Sequence, residues 1–176
     1  MFKALAFSFL LLIGSQSAGP TDEMFEKLLE APTESEATEV AMDIFAAWME
    51  SGSPTVDILM ERGVEAQIAG DVTFARAMYD RAILIEPEYA EAWNRRAGLF
   101  LAEEKYAEAL RDVNEALRLE PRHFGAWTGL GAVLETFGAR KEALTAYREA
   151  LKIHPHLAPA KLAERRLATN SDGQSL

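Results

Sequence analysis

The side chains that could carry out chemistry in this chain are few, and their spacing does not build a reaction centre. Histidine occurs three times, at His123, His154 and His156. The last two flank a proline, and no further ligand is close in sequence, so we interpret them as part of a solvated turn instead of a metal pair. Paired carboxylates such as Glu103 and Glu104 are typical of solvated helix ends. Neither pattern predicts acid–base catalysis or a metal site.

The motifs that would support other reactions do not occur in the sequence. The chain contains no cysteine, so it has no thiolate nucleophile, no thiolate metal ligand and no disulfide. It also has no glycine-rich phosphate loop, no HExxH segment and no nucleophile elbow around a serine. The sequence therefore predicts a protein that is not an enzyme and that uses neither a metal nor a cofactor.

Three stretches of the chain align at a fixed period of 34 residues: 56–89, 90–123 and 124–157. Each unit predicts two helices with a break between them. Small residues and prolines recur at fixed places of the units, namely Ala75, Ala109 and Ala143 at the twentieth, Ala82, Ala116 and Ala150 at the twenty-seventh, and Pro87, Pro121 and Pro155 at the thirty-second. A unit of this length cannot bury its apolar face alone, so neighbouring units must stack into a solenoid.

The three units resemble tetratricopeptide repeats, whose pattern favours Trp, Leu, Gly and Tyr in the first helix, then Ala, an aromatic residue, Ala and Pro. The first unit departs from the pattern with Leu59 for Trp and Arg62 for Leu. The resemblance implies an all-α fold, a right-handed α-solenoid of three helix pairs. It also implies a C-terminal capping helix, which we predict over 158–168, followed by a disordered tail over 169–176.

The first 18 residues have the order of a secretory signal peptide. Lys3 precedes an apolar run over 4–13, and small residues follow it. The run is shorter than the roughly 20 residues that span a bilayer. We expect cleavage near Ser17 or Ala18, a periplasmic or secreted mature protein, and no membrane insertion after cleavage.

Residues 19–55 are expected to form an acidic helical extension. Residues 21–61 carry eleven acidic side chains and one lysine, whereas the chain as a whole has a net charge of −10. Such a charge repels nucleic acid and anionic lipid, so neither is an expected partner. Ala41, Phe45 and Trp48 have the spacing of the twentieth, twenty-fourth and twenty-seventh places of a unit. We interpret them as part of a degenerate half-repeat that caps the solenoid; the alternative is that the extension folds across the groove and fills it.

In the family that the units resemble, the first helices line a concave face. The resemblance implies a partner-binding groove lined here by Met60, Val64, Gln67, Asn94, Arg95, Leu101 and Thr128. The carboxylate clamp of some members needs two Lys, two Asn and an Arg. The matching places here contain one basic residue, so that clamp is not expected. The groove suits a helical or extended segment of a partner.

Together these features predict a non-catalytic scaffold or adaptor of the bacterial cell envelope that binds a segment of another envelope protein. Two alternatives stay open. One is a structural protein that assembles with copies of itself into a homo-oligomer. The other is a chaperone-like holder in envelope protein export or maturation. The sequence names no partner.

Overall fold

The computed structural model describes residues 19–172, so the predicted signal peptide at 1–18 and the last four residues lie outside the described residues. The described part of the chain is all-helical and confirms the predicted α-solenoid. Its helices are α1 (Asp22–Glu30), α2 (Glu34–Met49), α3 (Pro54–Ile68), α4 (Val72–Ile85), α5 (Ala90–Ala102), α6 (Tyr106–Leu119), α7 (Phe124–Thr136), α8 (Arg140–Ile153) and α9 (Ala158–Asp172).

The turns between the two helices of each unit lie at the same place of the 34-residue period. Gly70 and Gly138 have φ angles of +81° and +72° in the first and third units. Glycine adopts this left-handed conformation without steric cost. In the second unit the equivalent residue is Glu104, which has φ of +59°, so this turn has the same geometry without the favoured residue.

The helices of one unit pack on each other, and consecutive units pack through α4 with α5, α6 with α7, and α8 with α9. The tryptophans at the fourth place connect this packing to the period. The indole nitrogen of Trp93 donates to the Pro87 carbonyl over 2.9 Å, and that of Trp127 donates to the Pro121 carbonyl over 2.8 Å. Each tryptophan therefore joins its unit to the proline that ends the preceding one.

Glycine at the eighth place of a unit accommodates a tyrosine ring from the second helix. A Cβ added at Gly131 would lie 2.7 Å from the Tyr147 ring, and a Cβ added at Gly63 would overlap the Tyr79 ring. Both tyrosines are buried. The small residue at the eighth place thus leaves room for an aromatic side chain of the second helix. The second unit has Ala97 at this place, with a valine opposite.

The acidic extension consists of α1 and α2 and packs against the third unit, at the C-terminal end of the array. Phe25, Leu28, Ile44 and Trp48 are buried in one cluster with side chains of α7, α8 and α9, including Phe124. Backbone contacts join α1 to α8 and α2 to α5. The structure corrects the half-repeat interpretation, because the buried stripe of α2 packs on the third unit and does not stack in front of the first. Only its last residue, Met49, packs against the core of the first unit.

Polar contacts hold the extension at both ends. Arg122 Nη1 donates to the Asp22 carboxylate over 2.7 Å, and the Arg122 guanidinium lies 4.1 Å from the centre of the Phe25 ring. At the opposite end the Tyr89 hydroxyl donates to the carbonyl of Trp48 over 2.7 Å. The extension is thereby fixed to the first and second units as well as the third.

The last helix, α9, packs on α8 and buries Ala160, Ala163 and Leu167. Arg166 forms two hydrogen bonds with Glu135 of α7. This is the place of the predicted capping helix, but α9 runs to Asp172, four residues beyond the predicted end at 168 and into the segment expected to be a disordered tail.

Candidate functional site

The concave side of the array contains a cavity of about 390 Å³ beside α2. Its walls come from the first helices of the three units, from Val113 of α6, and from Phe45 of α2. Most of the lining is apolar or glycine, with polar side chains on one side; the lining residues are Phe45, Gln67, Glu91, Asn94, Arg95, Ala97, Gly98, Leu101, Val113, Gly125, Gly129 and Val133. The cavity is one part of the groove that α2 leaves open.

Four of the seven residues predicted for the groove lie in the walls of this cavity: Gln67, Asn94, Arg95 and Leu101. The other three do not. Met60 is fully buried in the core of the first unit, which corrects its assignment to the groove surface. Val64 is half-buried and lies outside the cavity wall. Thr128 also lies outside it, and its hydroxyl donates to the Phe124 carbonyl over 2.8 Å.

The polar side of the cavity is organised around Glu91, which is 1% exposed. Its carboxylate accepts hydrogen bonds from Arg95 Nε over 2.6 Å and from Asn94 Nδ2 over 3.1 Å. His123 Nε2 lies 2.8 Å away on the other side. Burial alone would raise the pKa of Glu91, but the His123 and Arg95 contacts outweigh it and hold this pKa below its usual value. Glu91 is therefore a buried carboxylate with three partners.

The hydrogen bonds of His123 assign its tautomer. Its Nδ1 accepts from the backbone N–H of Ala126 over 3.1 Å, which caps the N-terminus of α7. The neutral ring therefore carries its proton on Nε2 and donates it to Glu91. The Trp48 indole stacks on the imidazole with ring centres 3.9 Å apart and planes 5° from parallel. This stack places α2 directly over the end of the groove.

The prediction of a solvated turn at His154 and His156 is wrong. His154 is 4% exposed and packs edge-on against Phe124. Burial lowers its pKa to about 4, with smaller contributions from His156 and Lys161. His156 is half-buried, and its Nε2 donates to the Ala31 carbonyl over 3.0 Å. The turn is covered because the extension packs on it.

Arg96 does not line the cavity, and its half-buried guanidinium is bonded to two carboxylates. It donates two hydrogen bonds to Asp112 over 2.6 and 2.9 Å and one to Asp80 over 2.7 Å. Neither Arg95 nor Arg96 pairs with the acidic extension in these contacts; Arg122 does so instead.

Eight of the twelve wall residues were not among the site residues predicted from the sequence, and Phe45 and Glu91 are the two that contribute most to the geometry described above. Phe45 has the spacing of a core residue, and nothing in that spacing indicates that its ring reaches Gly125. Glu91 appears in the sequence as one acidic residue among many. Its pairing with His123 joins residues 32 positions apart, so the pair becomes visible only when α5 and the start of α7 are adjacent.

Within the described range 19–172, no helix has the length and apolarity needed to cross a bilayer. No group of three or more His, Asp or Glu side chains in that range is arranged to hold a metal ion.

Comparisons with known proteins agree with this architecture. The profile described as Tetratricopeptide repeat matches residues 60–116 and 99–158. A TPR repeat-containing protein of Rhizobium etli is 35% identical over 98 residues, which are 56% of this chain and 48% of that protein. The chain thus spans about half the length of this relative.

Solved structures have the same fold. The Arabidopsis OM64 TPR domain is 27% identical with a TM-score of 0.64, and the match covers 70% of this chain and 98% of that domain. The first TPR of Spaghetti (RPAP3), bound to the HSP90 peptide SRMEEVD, is 22% identical with a TM-score of 0.65, covering 68% and 95%. The repeats, their packing and these matches together establish that the chain belongs to the tetratricopeptide repeat family.

Proposed function

We propose that this protein is a non-catalytic interaction module that binds a short segment of another protein in the cavity beside α2. The observation that carries the proposal is the open, glycine-lined cavity on the concave side of the array. Its volume of about 390 Å³ is in the range of sites that take a ligand or a few side chains. The structurally similar RPAP3 domain is described as bound to a peptide, which supports a protein partner in general.

The partner segment is short because α2 covers the third unit at one end of the concave side. Phe45 forms one wall of the cavity and Trp48 covers His123. An extended segment that crossed all three units would have to displace these buried aromatic rings. Opening that cluster would expose several large apolar side chains, each worth about 1.5–3 kcal/mol. We therefore place the partner beside α2 and not underneath it.

We further propose that the mature protein acts in the bacterial cell envelope, periplasmic or secreted. The support for this location is the order of residues 1–18, which is that of a secretory signal peptide. The absence of cysteine is compatible with an oxidising compartment because no thiol needs protection there.

Gly98 provides the test. It is exposed in the wall of the cavity, and a Cβ added there would meet no heavy atom within 4 Å. Gly98→Arg would thus fill the cavity without disturbing the helices. Ala107→Arg adds the same side chain at an exposed position of α6 and serves as the matched control.

The measurement is affinity capture from envelope extract of the source organism with the chain from Gly19 and both variants as bait. A protein retained by the parent and by Ala107→Arg, but lost with Gly98→Arg, supports the proposal. Retention by all three baits contradicts it, because the interface would then lie outside the cavity. Weak capture of many unrelated proteins would instead favour a chaperone-like holder, and capture of the bait alone would favour self-assembly.

A further inference from the structure

The second unit lacks a feature that the first and third units share. In those two units a tyrosine at the twenty-fourth place covers a glycine at the eighth, and its hydroxyl donates to an acceptor at the twelfth. The Tyr79 hydroxyl donates to Gln67 over 3.1 Å, and the Tyr147 hydroxyl donates to Glu135 over 2.8 Å. In the second unit the same three places hold Ala97, Leu101 and Val113.

The three replacements leave space on the concave side. Valine has no ring to extend toward the groove, and leucine offers no acceptor for a hydroxyl. Ala97, Leu101 and Val113 all line the cavity. Across from Val113 lies Gly129, whose added Cβ would be 3.6 Å from Val113 Cγ2. The cavity therefore lies at the repeat that has no tyrosine at the twenty-fourth place.

We propose that this cavity receives one aromatic side chain of the partner polypeptide, which takes the room that a tyrosine fills in the neighbouring units. The inference rests on the proposed function and specifies the chemistry of the partner. An aromatic side chain of the chain itself already occupies the adjoining part of the groove, where the Phe45 ring of α2 lies against Gly125. The incoming ring extends this aromatic row.

The charges at the cavity favour an apolar guest over an anionic one. Arg95 is the one basic side chain in the described wall, and its Nε is 2.6 Å from the buried carboxylate of Glu91. The positive charge of Arg95 is thus already neutralised within the chain. Gln67 and Asn94 lie at the polar side and can bond the backbone of the guest segment, which holds its aromatic side chain toward Leu101 and Val113.

The test uses the repeats of the chain itself to close the cavity. The triple variant Ala97→Gly/Leu101→Gln/Val113→Tyr copies into the second unit the glycine, acceptor and tyrosine of the first. A second variant, Gly129→Leu, fills the same space from the opposite wall, where an added Cβ makes an ordinary contact. Ala107→Arg is the control. Thermal melts by circular dichroism verify that each variant is folded.

A phage-displayed library of random dodecapeptides would be selected on the chain from Gly19, and the dissociation constants of selected peptides measured for every variant. We expect phenylalanine or tryptophan at one shared position. Affinity should fall at least about tenfold for both cavity-filling variants and stay unchanged for Ala107→Arg.

Two results would overturn the inference in distinguishable ways. If selected peptides lose binding to Gly98→Arg but share no aromatic position, or bind both cavity-filling variants as tightly as the parent, the groove binds peptides and the aromatic pocket is wrong. If no peptide is selected, or none loses binding to Gly98→Arg, the proposed function fails together with the inference.

Discussion

At the scale of single residues, the groove is held in shape by a buried charge and not by apolar packing alone. Glu91 is almost completely buried and bonds to Arg95, Asn94 and His123. A buried ion pair adds little net stability, because the charges lose their hydration, but the loss of one partner leaves the others uncompensated. The arrangement therefore fixes the positions of α5 and α7 more than it stabilises the fold.

Replacement of Glu91 by alanine is expected to lower the free energy of unfolding by about 3–5 kcal/mol. The variant leaves His123 buried without its acceptor and Arg95 without its carboxylate. Urea unfolding followed by circular dichroism measures the change. Glu88→Ala, at an exposed position near the same helix start, should change the stability by less than about 0.5 kcal/mol. Equal midpoints for the two variants would contradict the role of Glu91.

His154 makes the stability depend on pH. Its pKa in the folded protein is about 4, below the value of about 6.5 for an unfolded chain. Between these values the unfolded state binds more protons than the folded state. The contribution of neutral, buried His154 to the free energy of unfolding is therefore complete above pH 6.5 and is lost as the pH falls toward 4. We expect a loss of up to about 2 kcal/mol between pH 7 and pH 5. In urea titrations at both pH values, His154→Gln should lose this difference; an undiminished dependence would assign it to other groups.

At the scale of helices, the period determines the contacts inside the array but not the position of the extension. The place of a residue within the 34-residue period indicates whether its side chain packs between helices. Trp93, Ala109 and Tyr147 were therefore predictable as packing residues. The stripe Ala41, Ile44 and Trp48 predicts that α2 buries one face. It contains nothing that selects the third unit over the first. The packing of α2 on the third unit also buries His154, so the burial of this histidine could not be predicted from the sequence.

The glycine–tyrosine pairs offer a sharp test of the packing at this scale. Gly131→Ala would gain helix propensity, yet its Cβ would lie 2.7 Å from the Tyr147 ring, so we expect a loss of about 1–3 kcal/mol. Gly98→Ala, with no heavy atom within 4 Å of its Cβ, should instead gain up to about 1 kcal/mol.

The second unit shows how the chain relieves the same crowding, since Ala97 and Val113 there occupy the eighth and twenty-fourth places. Gly131→Ala combined with Tyr147→Val should therefore cost less than the sum of the two single changes. A double-mutant cycle from urea midpoints measures this coupling. Strictly additive costs would mean that the ring and the glycine do not determine each other.

At the scale of the whole molecule, α1 and α2 add contacts between parts of the solenoid that are distant in sequence. In a repeat array each unit contacts only its neighbours. Here Asp22 bonds to Arg122, and His156 bonds to the Ala31 carbonyl. These contacts join segments separated by 100 and 125 residues in the sequence. The array is therefore closed by its first helices and should unfold as one unit.

Trp48→Ala tests this closure. The indole is 5% exposed and contacts Phe25, Phe45, His123 and Phe124, so its removal should cost about 3–5 kcal/mol. Met42→Ala, at a position 65% exposed on the same helix, should change the stability by less than about 0.5 kcal/mol. Urea unfolding measures the free energy of unfolding of both variants. Loss of α1 and α2 in a separate early transition, with the repeats unaffected, would contradict the closure.

The same closure has a consequence during biosynthesis. A ribosome adds about 5–20 residues per second, so Arg122 follows Asp22, 100 residues earlier in the chain, by roughly 5 to 20 s at that rate. During this interval the apolar stripes of α1 and α2 exist without the α7 and α8 surfaces that bury them. The helices α1 and α2 are thus translated before the surfaces that bury them, and until α7 and α8 are made their aromatic side chains are accessible to other chains in the cell.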